Sequence, residues 1–262
     1  RTTRTVNPTH DGDAYYKRCV RILAELEEAD GIFTKTDPKG ILRVNLQGTL
    51  ARTFVVPALP DFKQRYPGID LVLADGDRFV DLVHEGFDCV LRSGDLADSS
   101  MIQLRLALLN EATIVSPDYL ARFGTPKTVD DLITQGHQMV SFLSGADDKP
   151  IPLDFTVDGK IREITLPSSI SVTGADTYAA CAAAGLGLIQ VPRYRVADDL
   201  KSGKLVEILA DFPPDPMPVS VLYPQNRQLS ARVRVFVRSE KHTSELKSHH
   251  DLQCRLHLEQ KS

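Results

Sequence analysis

The feature that most constrains this fold is a regular alternation of short apolar runs with helical segments between Ile41 and Tyr223. The apolar runs are continuous in Val, Ile and Leu, which is typical of strands buried on both faces of a parallel sheet. A break at residues 36–40 separates this body from a preceding helix, because Pro38 cannot continue that helix. The sequence therefore predicts an α/β body.

In the first half of the body we expect strands at 41–47, 69–74 and 88–92, with helices at 50–66 and 78–84 between them. A proline inside the first of these helices should kink or restart it. The second half is predicted to contain strands at 112–115, 139–142, 153–157, 161–166, 169–172, 186–191 and 219–223, and helices at 117–123, 129–134 and 176–184. The dipeptide Asp158-Gly159 predicts a tight hairpin.

A helix over residues 13–36 precedes the body and carries apolar side chains at alternating spacings of four and three. This a/d seam is the pattern by which one helix packs along a partner helix. The predicted dimerisation seam consists of Tyr15, Cys19, Ile22, Leu26, Ala29 and Phe33. Residues 1–12 are interpreted as a short basic strand, in which Arg1 and Arg4 are candidates for contacts with DNA phosphates. A solvated basic terminus is the alternative.

Composition excludes several functions. The net charge of −4 argues against a body that binds nucleic acid over a broad surface. Apolar runs are too short to span a membrane, so no membrane partner is expected. The four cysteines form no CxxC pair, which disfavours a zinc site and indicates a reducing, cytoplasmic location. The lone G-x-G at Gly185–Gly187 indicates a helix stop and no nucleotide cofactor.

Residues 238–262 depart from the pattern of the body. The amphipathic run 231–237 should continue as a closing helix, but a polar string without an apolar stripe follows it. This string resembles the conceptual translation of a sequencing adapter. We interpret 238–262 as a read-through tail foreign to the natural protein, and its histidines as no metal site.

Several segments in the right order resemble the LysR-type transcriptional regulators. The body beginning "GILRVNLQGTLARTFVVPALPDFKQRYPGIDLVLADGDRFVDLVHEGFDCVLRSGDLADSS" resembles the effector-binding domain of that family, and so does "AACAAAGLGLIQVP". The opening "RTTRTVNPTHDGDAYYKRC" is similar to the family's wing strand and the start of its linker helix. By this resemblance, the family's helix-turn-helix would lie before Arg1.

The resemblance implies a two-lobed, periplasmic-binding-protein-like (type 2) fold, an effector site between the lobes, and a homodimer or homotetramer that binds operator DNA. It divides the chain into a remnant of the winged helix-turn-helix domain (1–12), a linker helix (13–36) and an effector-binding domain (40–237), with lobe I at about 40–109 and 215–237 and lobe II at about 110–214. The chain should cross between lobes near Leu109 and near Pro213-Pro214.

Ligands of such sheets bind outside the carboxyl ends of strands, where helix N-termini favour a carboxylate or another small anion. Three loops at strand ends therefore supply the candidate effector-binding residues: Gln47, Gly48, Thr49, Arg92, Ser93 and Thr173. Asp176 would repel an anion, so we assign it to helix capping. The alternative is structural: Thr49 and Thr173 would be N-caps, and Arg92 would pair with an acid such as Asp95.

Two other classes of protein compete with this interpretation. A solute-binding protein of a transport system shares the lobes, but it needs neither a dimerisation helix nor a basic strand. A transferase on the same fold would need a catalytic residue in the cleft. His84 and His137 are isolated, and Asp75 and Asp77 are interpreted as helix caps, so the sequence predicts no enzyme.

The seam yields a first prediction. Replacing both Ile22 and Leu26 with Asp would bury unpaired charge between helices, which costs several kcal/mol. We expect sedimentation equilibrium to show dimer converted to monomer. A dimer that persists would mean that the seam packs against the body of its own chain.

Overall fold

The computed structural model describes the body and a few residues of the segment before it. The described residues are 37–76, 85–94, 101–143, 149–224 and 230–247, together with Thr9, Gly12, Tyr15, Tyr16 and Cys19, with side chains described as far as Ser239. Among them, no helix is long and apolar enough to cross a membrane.

The first lobe contains a sheet whose strand order is β2-β1-β3-β12-β4. Its strands are β1 (Gly40–Leu46), β2 (Ile69–Asp75), β3 (Cys89–Ser93), β4 (Met101–Leu109) and β12 (Met217–Pro224). Strand β1 pairs in parallel with β2 and β3, as predicted. The sheet is nevertheless mixed, because β12 pairs antiparallel with both β3 and β4. The strand that returns from the second lobe thus lies between β3 and β4, which both precede it in the sequence.

The second lobe contains several small sheets. Its strands are β5 (Glu111–Val115), β6 (Ser141–Phe142), β7 (Leu153–Val157), β8 (Lys160–Ile164), β9 (Ser171–Val172), β10 (Ile189–Pro192) and β11 (Val206–Glu207). Strand β5 lies between β10 and β11 and is antiparallel to both, whereas β6 pairs in parallel with β9. The hairpin of β7 and β8 is confirmed, and both Asp158 and Gly159 have the positive φ angles, 49° and 74°, that a tight primed turn requires.

The helix after β1 changes its winding along its length. It begins as Gly48–Leu50, continues as a π-helical turn Ala51–Val55 and a 3-10 turn Val56–Ala58, and ends as Leu59–Arg65; we call the whole run α1. The 3-10 turn contains Pro57, which cannot donate the hydrogen bond of a regular helix. The predicted interruption of this helix is therefore confirmed.

The remaining helices cover the sheets. They are α2 (Pro117–Phe123), α3 (Asp131–Thr134), α4 (Ala175–Ala183), α5 (Ala197–Ser202) and α6 (Ala231–Lys247), with a 3-10 turn, Arg193–Val196, leading into α5. Helix α2 has a side-chain cap, since the Ser116 side chain accepts a hydrogen bond from the Tyr119 N–H. The predicted helix at 78–84 lies outside the described residues.

Each lobe has its own core. Val44, Leu91 and Phe236 belong to a buried cluster of the first lobe, and Tyr119, Leu132 and Phe155 belong to one of the second. The chain leaves the first sheet at Leu109 and enters the second at Glu111, so Asn110 is the first hinge. It returns between Glu207 and Met217. Two crossings between two cores leave the facing edges of the lobes free to form a site.

Helical residues are described on both sides of the body. Helix α6 runs through Lys247, beyond the boundary at residue 237 that the sequence suggested, and the foreign origin of 238–262 stays a prediction. At the other end, Gly12, Tyr15, Tyr16 and Cys19 are helical, and the Thr9 hydroxyl accepts a hydrogen bond from the Gly12 N–H at 3.1 Å. Tyr15 of the predicted seam is 72% exposed and its neighbour Tyr16, outside the seam, is 67% exposed, so the seam stays a prediction. Ile22, Leu26, Ala29 and Phe33 lie outside the described residues.

Helix α6 closes the first lobe through Phe236, which generates a second prediction. This side chain is fully buried and meets the Phe62 ring edge-on at 5.8 Å. Phe236→Ala should lower the free energy of unfolding by about 3–5 kcal/mol, through lost burial and the cavity that remains. Arg238→Ala, on an exposed position of the same helix, should change it by less than about 0.5 kcal/mol. Urea unfolding of the two variants measures both; equal losses would show that α6 does not seal this core.

Candidate functional site

The carboxyl ends of β1 and β3 lie side by side, as the parallel pairing predicted. Gln47 follows β1, and its side-chain Oε1 accepts hydrogen bonds from the Ser93 N–H at 3.1 Å and the Ser93 hydroxyl at 2.6 Å. Two of the candidate effector-binding residues are therefore in direct contact. They form one polar edge on the first lobe.

Arg92 is buried within the first lobe rather than exposed at its edge. Only 6% of the residue is accessible, and its guanidinium donates to the Asn45 side chain and, at 3.2 Å, to the Leu91 carbonyl. A buried guanidinium needs such acceptors to offset the loss of its hydration. The structure thus places the Arg92 side chain inside the lobe, although the residue directly precedes Ser93 in β3. Asp95, the alternative partner, lies outside the described residues.

Gly48 starts helix α1 against a carboxylate. A Cβ atom at this position would lie 3.2 Å from the Oδ2 atom of Asp75 at the end of β2, so the close approach favours glycine. Asp75 thus stands beside the start of α1, and its expected capping of a following helix stays a prediction because residues 77–84 lie outside the described residues. This part of the edge is therefore electronegative, unlike the Thr49 side.

Thr49 bridges the two lobes. Its hydroxyl donates to the Oδ1 atom of Asp176, at the start of α4 in the second lobe, at 2.8 Å. The same hydroxyl accepts from Arg195 at 2.9 Å and from Arg52 at 3.3 Å. A threonine that only capped a helix would bond a backbone N–H of its own first turn. Thr49 is therefore a cleft residue, and the capping alternative is wrong for it.

The same contacts correct the role that the sequence suggested for Asp176. The residue that caps α4 is Gly174, whose backbone is extended, and Asp176 lies in the first turn behind it. Its carboxylate points across the cleft and accepts hydrogen bonds from Thr49, Arg52 and Arg195. The hydrogen bond from Thr49 is the largest of the effects that lower the pKa of Asp176 below its ordinary value. This side chain is therefore ionised and faces inward.

Thr173 lies in the segment between β9 and α4 and is exposed. It precedes the N-cap Gly174, so it is not a cap either. The structure therefore brings Gln47 together with Ser93, and Thr49 together with Asp176, while Thr173 stands beside them without a described hydrogen bond to these residues. Its part in effector binding stays a prediction. Arg1 and Arg4, the candidate DNA contacts, lie outside the described residues.

Two arginines of the site were missed from the sequence. Arg52 lies one helical turn after Thr49, and Arg195 lies in the 3-10 turn that follows β10. The Arg195 side chain is only 6% exposed, whereas that of Arg52 is 65% exposed. The one available signal was the position of Arg195 just beyond the end of a strand, where ligand-binding residues gather in α/β folds.

An aromatic contact lies close to this polar cluster. The rings of Phe54 in α1 and Tyr194, next to Arg195, meet edge-on with centroids 4.8 Å apart. Tyr194 also packs against the core cluster of the first lobe although it belongs to the second. Such an edge-to-face pair is worth about 0.5–1.5 kcal/mol beyond its burial. In the described part of the chain, the contact between the lobes therefore includes this aromatic pair as well as the polar cluster around Thr49.

A buried acid lies at the hinge. Glu111 begins β5 directly after Asn110 and is 9% exposed, and no hydrogen-bond partner is seen for its Oε1 atom. Burial, followed by repulsion from Asp154, raises the pKa of Glu111 to about 8, although the cation of Arg195 opposes this shift. Near neutral pH the side chain is therefore mostly protonated. Arg195 consequently relies on Asp176 for its carboxylate hydrogen bond.

The isolated histidines do not enter this cleft in the part of the chain that the structure describes. His137 is fully buried in the second lobe, where its Nδ1 atom lies 3.2 Å from the Tyr119 hydroxyl. Burial lowers the pKa of His137. His137 therefore has a structural role: its ring fills space in the core and forms a hydrogen bond with the Tyr119 hydroxyl. His84 lies outside the described residues.

Two α/β lobes joined by two crossings, with polar strand ends facing each other, define a ligand-binding fold of the periplasmic-binding-protein-like class. A family model described as the LysR substrate binding domain matches residues 35–242. The transcriptional regulator YhjC of Escherichia coli K12 is 36% identical over 239 residues, which are 90% of this chain and 79% of that protein. A transcriptional repressor of Pseudomonas aeruginosa, PA14_22550, is 34% identical over 239 residues, 90% of this chain and 75% of its own length.

Solved structures agree with the sequence comparisons. CrgA, a LysR-type transcriptional regulator from Neisseria meningitidis, superposes with a TM-score of 0.64 at 26% identity, over 93% of this chain and 82% of that one. The effector domain of AmpR from Pseudomonas aeruginosa, at 23% identity and a TM-score of 0.64, has the same fold over 80% of this chain and 98% of its own. This chain belongs to the LysR-type transcriptional regulators. The solute-binding alternative is not favoured.

Glu111 yields a third prediction, on pH. Because its folded pKa of about 8 lies above the ordinary value of 4.5, the folded state holds a proton that the unfolded state releases between these values. Stability should therefore fall as pH rises from 5 to 8, by on the order of a few kcal/mol at about 1.4 kcal/mol per pKa unit. Glu111→Gln should flatten this dependence.

Urea unfolding at fixed protein concentration and several pH values between 5 and 9 measures the effect. The control is Asp61→Asn, which removes an exposed carboxyl from the first lobe and should leave the pH profile between 5 and 9 parallel to that of the parent. Parallel profiles for parent and Glu111→Gln would contradict the assignment of a protonated hinge acid.

Proposed function

We propose that this protein senses a small organic anion in the cleft between its lobes and passes that signal to operator DNA. The observation that carries the proposal is the cationic and hydroxyl-bearing patch formed by Thr49, Arg52 and Arg195, to which both lobes contribute. Charged donors that face each other across a cleft favour a ligand with a compact negative charge. The repressor activity named for the P. aeruginosa relative is compatible with such control.

The polar edge of the first lobe extends the site. The Ser93 hydroxyl and the Gln47 amide provide neutral hydrogen-bonding groups next to the charged patch. The buried Arg92, which precedes Ser93, contributes a positive electrostatic potential there. Thr173 would contribute from the second lobe, and Gly48 would let the ligand approach the backbone. A carboxylate would bind at Thr49, and the rest of a small molecule would lie along Gln47 and Ser93.

The mechanism would be a shift of populations without chemistry. A ligand that contacts both lobes binds the closed arrangement more tightly than an open one, so it favours closure by its difference in affinity. Closure would change the packing of dimers into tetramers through the helix at 13–36, and so the spacing at which the assembly meets DNA. Arg1 and Arg4 would then contact phosphates. The protein would act in the cytoplasm, where the operator is.

Thermal-shift screening of small organic acids tests this proposal and constitutes a fourth prediction. At least one acid should raise the melting temperature of the parent. Thr49→Val should weaken its binding about 10- to 100-fold, because a hydrogen bond to a charged group contributes about 1.5–3 kcal/mol. Thr173→Val should weaken binding if that residue also contacts the anion.

Thr134→Val serves as the matched control. This threonine lies at the end of α3 in the second lobe, away from the cleft, so the variant should bind the acid as tightly as the parent. A screen without any stabilising acid would refute the organic-anion effector. An acid that binds Thr49→Val and Thr173→Val with parental affinity would move the site elsewhere.

A further inference from the structure

The carboxylate of Asp176 is held in the way that a bound carboxylate ligand would be. Its Oδ1 atom accepts from the Thr49 hydroxyl at 2.8 Å and from Arg195 at 3.2 Å, and its Oδ2 atom accepts from Arg52 at 3.3 Å. Both oxygens are therefore engaged, by one neutral and two cationic donors. Two of the three donors belong to the opposite lobe from Asp176 itself.

The burial of these groups is unequal. The side chain of Arg195 is 6% exposed, whereas that of Asp176 is 68% exposed. The cation is thus a fixed part of the cleft wall, and its counter-ion reaches in from the solvent. A nearly buried guanidinium requires an anionic or hydrogen-bonding partner, but the partner need not be this particular carboxylate.

We propose that Asp176 is a built-in competitor of the effector: its carboxylate occupies the cradle of Thr49, Arg52 and Arg195, and a small anion binds there by displacing it. This inference rests on the proposed function in placing the effector at Thr49. The new element is that Arg195 and Arg52 bind the anion directly. Competition by Asp176 sets the anion concentration at which half of the cradles are occupied by anion.

Displacement follows from the charges at the site. The three donors match the two oxygens of one carboxylate, and a second anion beside the first would be repelled. Asp176 can leave because its side chain is 68% exposed, so that water can solvate the released carboxylate, and because its exposed ion pair with Arg52 contributes little. Its position in the first turn of α4 is also favourable for an acid whether or not it bridges the cleft.

Exchange of Asp176 for an effector changes which groups connect the two lobes. With Asp176 in the cradle, the protein itself supplies a bridge between the lobes. An effector replaces this bridge by its own contacts, so only a ligand that connects the lobes better than Asp176 shifts the closed population. The apparent affinity of any anion is lowered by the fraction of molecules in which the cradle is filled by Asp176.

The test uses acetate as the probe, in the full chain, with acetamide as its uncharged counterpart at a constant chloride concentration. Asp176→Asn keeps the size of the side chain and removes its charge. We expect acetate to bind this variant at least 10-fold more tightly than the parent in a calorimetric or thermal-shift titration, with acetamide unchanged. Combining Asp176→Asn with Arg52→Gln or Arg195→Gln should remove most of the gain.

Asp75→Asn is the matched control. It removes an equal charge from the same edge of the cleft, beside Gly48 and outside the cradle. Its charge makes no described contact with the three donors and acts on them through water, so this variant should gain much less affinity than Asp176→Asn. Equal gains in the two variants, or no gain in Asp176→Asn, would overturn the competitor role.

The outcome separates the two proposals. Tight acetate binding by Asp176→Asn supports the competitor even where no organic acid proves to be the effector. If instead an acid binds at Thr49 and its affinity is the same in parent and Asp176→Asn, the proposed function stands and the competitor role is wrong. The double variant with Arg52, which is exposed, remains interpretable should the loss of buried Arg195 prevent folding.

Discussion

The antiparallel pairing of β12 with β3 and β4 is the constraint on which the rest of the structure depends. Strand β12 begins more than a hundred residues after β4 ends, and the second lobe lies between them in the sequence. It pairs with β3 through Val219–Leu222 and with β4 along its whole length. It thereby fixes both crossings of the chain at one end of the first sheet. Because Met217 pairs with Leu109, the two crossings leave and enter the first sheet next to each other. This arrangement keeps the lobes side by side, and their facing edges form the cleft.

The sequence predicted local structure well where one period of apolar residues dominated. The hairpin at Asp158-Gly159 follows from turn chemistry alone, and helix α2 follows from Pro117 at its first position. Strand β4 was missed because the leucines of MIQLRLALL fit more than one period, and its pairing with β12 includes a register shift at Val219/Ser220. Such a strand is defined by its partner, which local pattern does not reveal.

In the candidate site, too, contacts between neighbouring strands could be predicted and contacts between the lobes could not. Neighbouring parallel strands must end at the same edge, so the meeting of Gln47 with Ser93 could be expected from the sequence. The hydrogen bonds of Thr49 to Asp176 and Arg195 join residues 127 and 146 positions apart. They depend on how the lobes face each other, which no local signal encodes. For that reason Asp176 was assigned to a cap and Arg195 was overlooked.

The strength of the contact between the lobes suits a sensor. The Phe54–Tyr194 pair, worth about 0.5–1.5 kcal/mol, and the exposed ion pair of Arg52 with Asp176, worth about 0–1 kcal/mol, hold the facing edges only weakly. A two-state equilibrium is moved from one side to the other by a ligand that favours one state by about 5.5 kcal/mol. A few charge-assisted hydrogen bonds, at about 1.5–3 kcal/mol each, reach that difference. A contact much stronger than the one between Thr49 and Asp176 would fix the lobes, and a small anion could no longer change their arrangement.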